Sequence, residues 1–359
     1  MTGSAGQKRV PKTYFSQNPF SLPPTSEQKR IVAKVDELMV LCDELEARKQ
    51  NAATNCIRLN NASLHGFIKA TEAKKFNKHW QRVCDSFDIL YGKPENVVKL
   101  RQAILQLAVQ GKLVPQNPND EPASVLLEKI AAEKERLVKE GKIRKTNPLP
   151  AIKDDEMPYS LPVGWEWVRL ATIGEFCGGA TPSKNKSIYW DGDVPWVSPK
   201  DMKSDHIKKT ELTITQLALK KTRIRLIPIG SILIVARSGI LKRMLPVSIN
   251  DIQCTVNQDL KVILPYIKGI SEYLRLMLKG HEQFILKRLV KGGMTVQSLK
   301  YVEFEAHPFP IPPLNEQKRI VAKIDELMGF CDELETALLQ SQRDCNRLME
   351  AAVAEIMAA

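Results

Sequence analysis

Near both ends of the chain, apolar residues recur in alternating steps of four and three. Ile31, Val35, Leu38, Cys42 and Leu45 lead on to Ala52, Cys56 and Leu59. Ile320, Ile324, Leu327, Cys331 and Leu334 lead on to Leu338, Ser341, Cys345 and Leu348. A 3.5-residue repeat held this long predicts a helix with a coiled-coil seam. Lys49 interrupts the first seam at the position of Leu338. Pro23-Pro24 and Pro312-Pro313 stop any helix upstream, and Ser26 and Asn315 are suitable N-caps. Some 45 helical residues would reach about 65–70 Å at 1.5 Å each.

The two stretches are copies. Leu22–Glu46 reads LPPTSEQKRIVAKVDELMVLCDELE and Ile311–Glu335 reads IPPLNEQKRIVAKIDELMGFCDELE, identical at 19 of 25 positions with an offset of 289. Such a pair brackets one domain rather than building a solenoid. Either helix could serve as one wall of a bundle core. The sharper expectation is an antiparallel rod made of the two, and because the seams are near-identical they could also pair between two chains.

Between the copies the pattern changes twice. Phe67–Tyr91 is aromatic-rich and predicts a short helix. Pro94 opens a helix with a wide apolar face, Val97 to Ala108, closed by Gly111; Pro122 opens another, closed by Gly141. Gly141–Pro150 is basic and proline-containing and reads as a linker. From Leu161, prolines punctuate short β-like runs: Trp165–Leu170, Val194–Val197, Ser231–Ala236 and Leu260–Leu264. Ser271–Val290 reads as helix and Val302–Phe309 as strand. The expected fold is α+β: one loop-rich α/β domain plus two long antiparallel coiled-coil helices and connecting helices. Its boundaries are a tail over 1–24, the first long helix over 25–70, connecting helices and linker over 71–150, the loop-rich domain over 157–313 and the second long helix over 314–359.

Composition narrows the classes. The longest near-apolar run, Leu226–Ala236, contains Pro228 and Gly230 and is far short of the ~20 residues of a spanning helix. The start, MTGSAGQKRV, lacks the apolar core of a secretory signal. Seven cysteines, none in a CxxC pair, read as reduced thiols of a cytoplasmic protein. The net charge is +12, and Ser160–Pro310 holds 22 Lys and Arg against 13 Asp and Glu, a net of +9. A basic surface of this kind attracts polyanions through phosphate contacts.

Three polar, basic segments could meet DNA. The first carries Thr181, Ser183, Lys184, Lys186 and Tyr189; the second Arg237, Ser238, Lys242 and Arg243; the third Lys291, Thr295 and Gln297. Lys and Arg neutralise phosphate, and Arg, Lys and Gln can also read base edges; each could equally be a solvated surface group. Trp165, Trp167 and Trp196 read as core. Walker A, dinucleotide and HExxH patterns are missing from the sequence, so no metal ligands are expected. Asp193 with Asp201 and Lys203 could in principle hold Mg²⁺ for phosphodiester hydrolysis, which leaves a stand-alone nuclease as the rival reading. A coiled-coil scaffold without specific DNA binding is the other.

The duplicated PPTSEQKRIVAKVDELMVLCDELE and PPLNEQKRIVAKIDELMGFCDELE resemble the specificity (S) subunits of type I restriction–modification enzymes. NVVKLRQAILQLAVQGKLV, LPVGWEWVRL, GGATPSKNKSIYWDGDVPWVSPKDMK and VNQDLKVI are similar to family segments. The resemblance covers nearly the whole chain from Pro19. It implies a non-catalytic reader of double-stranded DNA whose target-recognition domain reads one half of a bipartite site. It also implies methyltransferase (M) and restriction (R) subunits as partners, with S-adenosylmethionine, ATP and Mg²⁺ in those subunits and no cofactor in this chain. The family's full subunit has two recognition domains, and this sequence carries one, at 157–313. A half-length form is therefore expected to homodimerise or to pair with a second half-specificity chain.

Overall fold

A computed structural model describes residues 12–17, 19, 21–69, 73–293 and 295–358. The chain divides into two compact units, Met1–Ser63 and Leu64–Ala359. The expected tail over 1–24 falls partly outside the described residues, as do the side chains of Phe67 and Phe76 in the aromatic segment.

The first unit holds a short helix, α1 (Lys12–Gln17), and most of α2 (Thr25–Lys69). Its start shows how proline pairs open these helices. Pro24 contributes a carbonyl that accepts from Glu27 N and Gln28 N at 2.8 and 2.9 Å. The Gln28 side chain turns back and donates to the Pro23 carbonyl at 2.8 Å. Ser26 is thus the second helical residue, not the cap. The reason is that the helical ladder already starts at the Pro24 carbonyl, which puts the cap position on Pro24.

In the second unit α3 (Ala73–Asp85), α4 (Phe87–Tyr91), α5 (Pro94–Val109) and α6 (Ala123–Lys139) precede the sheets. Pro94 takes the first helical position of α5, where its missing N–H costs nothing. Gly111 follows with φ +68°, the left-handed conformation that ends such a helix. The strands are β1 (Glu166–Arg169), β2 (Gly174–Gly178), β3 (Trp190–Val197), β4 (His206–Ile207), β5 (Leu212–Ile214), β6 (Ile232–Val235), β7 (Arg237–Ser238), β8 (Val247–Asn250), β9 (Thr255–Val256), β10 (Leu260–Pro265), β11 (Val290–Lys291), β12 (Gln297–Leu299) and β13 (Pro308–Ile311). The remaining helices are α7 (Gln216–Lys221), α8 (Ser271–Gly280), α9 (Glu282–Arg288), α10 (Tyr301–Ala306) and α11 (Leu314–Ala358).

The central sheet runs β2-β10-β6-β8-β4 and is antiparallel except for β4 beside β8. All four residues of β6 are buried, as its unbroken Ile-Leu-Ile-Val run requires of a strand covered on both faces. One continuous core joins this sheet to α5, α6, α8 and the start of α11. A smaller core of Val194, Trp196, Ile214, Ala218 and Ile224 holds β3, β5 and α7 together.

Two sequence expectations are corrected. The helix expected over Ser271–Val290 is broken at His281 into α8 and α9. The segment Val302–Phe309 is helix first, α10, and strand only from Pro308. Tyr301 and Phe304, three apart, both set their rings edge-on to Phe176. That is a helical spacing which the short apolar run disguised. The prolines of β13 are tolerated because it pairs with β1 alone.

Candidate nucleic-acid interface

The loops expected to meet DNA hang on two small sheets at the ends of buried strands. β6 leads through Ala236 into β7, and β7 pairs with β12, itself paired with β11. Ser238 stands opposite Gln297, Arg237 opposite Ser298, and Lys291 opposite Ser298 on the far side. This ladder gathers two separate segments of the chain, and it exposes Arg237, Lys242, Arg243, Lys291 and Thr295. Ser238 turns its hydroxyl back to accept from Ile240 N at 3.3 Å, which caps the turn carrying Lys242.

Gln297 has a different use. It is buried, its Nε2 donates to the Gly293 carbonyl at 2.9 Å, and its Oε1 accepts from Gly293 N at 3.3 Å. Its amide therefore braces the 291–297 hairpin. Met294 lies outside the described residues.

The first segment joins through residues that sequence reading did not single out. Ala180 N donates to the Val256 carbonyl at 3.0 Å, and Thr181 Oγ1 donates to Gln258 Oε1. Gly179 is required here, because a Cβ would run into the carbonyl oxygens of Val256 and Asn257. Asn257 is buried and its Oδ1 accepts from Asp259 N at 3.0 Å, shaping the turn. The Asp259 carbonyl accepts from Ala236 N and Arg237 N, and its carboxylate lies 3.9 Å from Arg237 Nε. The turn Asn257-Gln258-Asp259 thus links Thr181 to Arg237. Its signal was present in the motif VNQDLKVI, but nothing in the spacing marked those side chains.

Lys184, Lys186 and Tyr189 belong to the smaller subdomain instead. Lys186 Nζ lies 5.6 Å from the Tyr189 ring centroid, a cation–π distance. The loop is pinned from both sides. Trp190 Nε1 donates to the Ser183 carbonyl at 3.2 Å, and Thr215 Oγ1 donates to the Ile188 carbonyl at 2.8 Å. Thr215 also caps α7, whose last turn brings Lys220 and Lys221 to the same subdomain. Those two lysines were not expected, because cations closing a helix are ordinary dipole partners.

Several arginines of the basic domain are structural. Arg225 makes two bonds to Glu175 at 2.6 and 2.8 Å. Buried Arg169 pairs with Glu156, and buried Arg275 pairs with Asp205 at 2.7 Å. The exposed excess is correspondingly concentrated on the loops.

The nuclease constellation is used otherwise. Asp201 Oδ2 accepts from Ser198 N and Oγ at 2.8 Å each, and Oδ1 accepts from Glu211 N at 2.8 Å. Asp193 accepts from Gln216 Nε2 at 3.1 Å, and Lys203 lies 3.5 Å from Glu211. Among the described residues no group of three His, Cys, Asp or Glu could hold a metal ion. No helix among them is long and apolar enough to cross a membrane.

The seam positions of the two long helices have different surroundings. In α11, Ile320, Ile324 and Cys331 are buried and Leu327 and Leu334 half-buried, with α5 and α8 packed against this stretch. The equivalent residues of α2 are exposed: Ile31 at 48%, Val35 at 50%, Leu38 at 48%, Leu45 at 55%, and Cys42 likewise.

Residues 162–341 match the type I restriction modification DNA specificity domain. The chain is 37% identical over 352 residues to the type I restriction enzyme EcoAI specificity subunit of Escherichia coli, covering 93% of this chain and 57% of that one. It is 32% identical over 371 residues to the EcoEI specificity subunit of Escherichia coli, covering 98% and 60%. It is also similar to the crystal structure of the HsdS subunit from Thermoanaerobacter tengcongensis, at 18% identity and a TM-score of 0.44, over 93% of this chain and 59% of that one. The chain spans less than two thirds of the length of these relatives.

Proposed function

The chain belongs to the family of type I restriction–modification DNA specificity domains, and from that premise we propose that it is a sequence-specific DNA-recognition subunit that reads one half of a bipartite target. The observation that carries this reading is the junction of the β7–β12–β11 ladder with the Gly178–Thr181 and Asn257–Asp259 turns. It presents Arg237, Lys242, Arg243, Lys291, Thr295, Gln258 and Thr181 together from a rigid sheet. Arg and Gln are the side chains that read base edges, while the lysines neutralise phosphate. Gln297 positions the hairpin rather than touching a base. Lys184, Lys186 and Tyr189, with Lys220 and Lys221, form a second contact region on the smaller subdomain.

Bond-making chemistry falls to partners. In this reading M subunits methylate adenines with S-adenosylmethionine, and R subunits cleave with ATP and Mg²⁺. The chain pairs with a second copy or with a second half-specificity chain, its long helices form the rod that separates two half-sites, and it works in the cytoplasm. The stand-alone nuclease is disfavoured because both Asp201 oxygens are occupied by turn hydrogen bonds.

Binding to selected against random duplexes at one fixed salt concentration tests the proposal. Arg237→Ala should weaken the selected duplex by roughly 1–3 kcal/mol and leave the random one nearly unchanged. Lys184→Ala should weaken both alike and lower the salt slope by about one. Equal affinity of the native chain for both duplexes would refute the reader.

A further inference from the structure

The duplication places the same side chains in two different environments. In α11, the stretch from Glu316 to Glu335 is covered by α5 and the loop after it. Arg101 of α5 reaches Asp332 at 2.6 Å and Glu335 at 3.0 Å, and also donates to the Met328 carbonyl at 3.3 Å. Asp120 pairs with Arg319 at 2.6 Å. Gln116 Nε2 donates to Glu316 Oε1 at 2.9 Å. Between these polar contacts lie Ile320, Ile324 and Cys331, all buried.

At the offset of 289, every one of these polar partners recurs unchanged in α2. Glu27 stands for Glu316, Arg30 for Arg319, Asp43 for Asp332 and Glu46 for Glu335. The apolar positions between them recur as Ile31, Val35 and Cys42. All are exposed. A solvent-facing helix gains nothing from an apolar stripe flanked at fixed register by an acidic pair and an arginine. The same array on α11 has a known complement, which is a helix carrying one arginine followed by a loop carrying one glutamine and one aspartate.

We infer that the Glu27–Glu46 face of α2 is a docking surface for a second helix–loop segment of the α5 type, borne by a partner module outside residues 1–359. Its arginine would meet Asp43 and Glu46, and its loop glutamine and aspartate would meet Glu27 and Arg30. The α5 at Pro94–Val109 is already seated on α11, so the occupant is a second such unit, on a partner module outside residues 1–359. The inference rests on the proposed function only for what that partner bears, a second recognition module. The docking itself is separate from DNA.

The probe is a helix-stapled, fluorescent peptide of residues Lys93–Glu121, titrated into the full chain by anisotropy. It should bind saturably. The double reversal Asp43→Lys with Glu46→Lys should weaken it roughly tenfold or more, as loss of a paired charge with like-charge repulsion does. The same peptide bearing Arg101→Glu should recover most of that loss on the reversed chain and bind poorly to the native one. No binding, indifference to the reversal, or no recovery with the swapped peptide would each overturn the inference. So would sedimentation showing that α2 is covered by a second copy in the absence of peptide, with the dimer lost on the same reversal. Selected-duplex binding measured on the same variants separates the two readings, because it should be unchanged by the reversal. A chain that takes the peptide and no specific DNA would sink the reader and leave the docking surface standing.

Discussion

Arg237 and Gln297 lie on neighbouring strands of one ladder, yet only the arginine faces solvent. Sequence composition could nominate both, because each residue type can contact a base. Which one is spent on Gly293 depends on a hairpin closure that no local pattern encodes. Histidines give a second case. His307 stacks on Phe284 at 4.6 Å, and burial pushes its imidazole down to about 4, opposed by Glu156. Half-buried His281 is lowered to about 4 as well, chiefly by desolvation, although its Nδ1 pairs with the Met277 carbonyl at 2.9 Å. In the unfolded chain both take a proton near pH 6.5, so the unfolded form binds more protons between about pH 6.5 and 4. Stability should therefore fall as pH drops through that window. His307→Phe keeps the stack and removes one titration, so urea unfolding of this variant should show an acid limb shallower by roughly 1–3 kcal/mol. An unchanged acid limb would assign the loss to other groups.

At the scale of elements, the long helices and the punctuated strands were legible because their signals are local. Proline pairs, 3.5-residue spacing, and Pro94 and Gly111 at opposite ends of α5 all act within one or two turns. The partner of each seam was not legible. Near-identical stripes in α2 and α11 differ in exposure, and the elements that bury the second, α5 and α8, come from elsewhere in the chain. The small ladder of β7, β12 and β11 was equally hidden, since two- and three-residue strands carry no periodicity. The contrast between the two stripes is measurable. Ile320→Ala empties a site that is 1% exposed and should cost about 2–5 kcal/mol in denaturant unfolding. Ile31→Ala, at the equivalent place in the other copy, should cost less than about 0.5 kcal/mol in the isolated chain. Equal costs would mean that α2 is covered as α11 is.

At the scale of the whole molecule, charge and site coincide. The basic excess of Ser160–Pro310 lies in the domain whose arginines Arg169, Arg225 and Arg275 are internally paired. The exposed Lys184, Arg237, Lys242, Arg243 and Lys291 lie on its loops and short strands, within reach of a phosphate backbone. In the proposed reading the recognition domain within 157–313 reads one half of a split target, and a second recognition module reads the other. The most direct test of this account is methylation-site sequencing of DNA from cells that carry the chain with the M subunit proposed for it. The account predicts adenine methylation confined to a two-part sequence with a fixed spacer, and loss or change of one part in Arg237→Ala. Methylation without sequence preference, or an identical target in that variant, would contradict it.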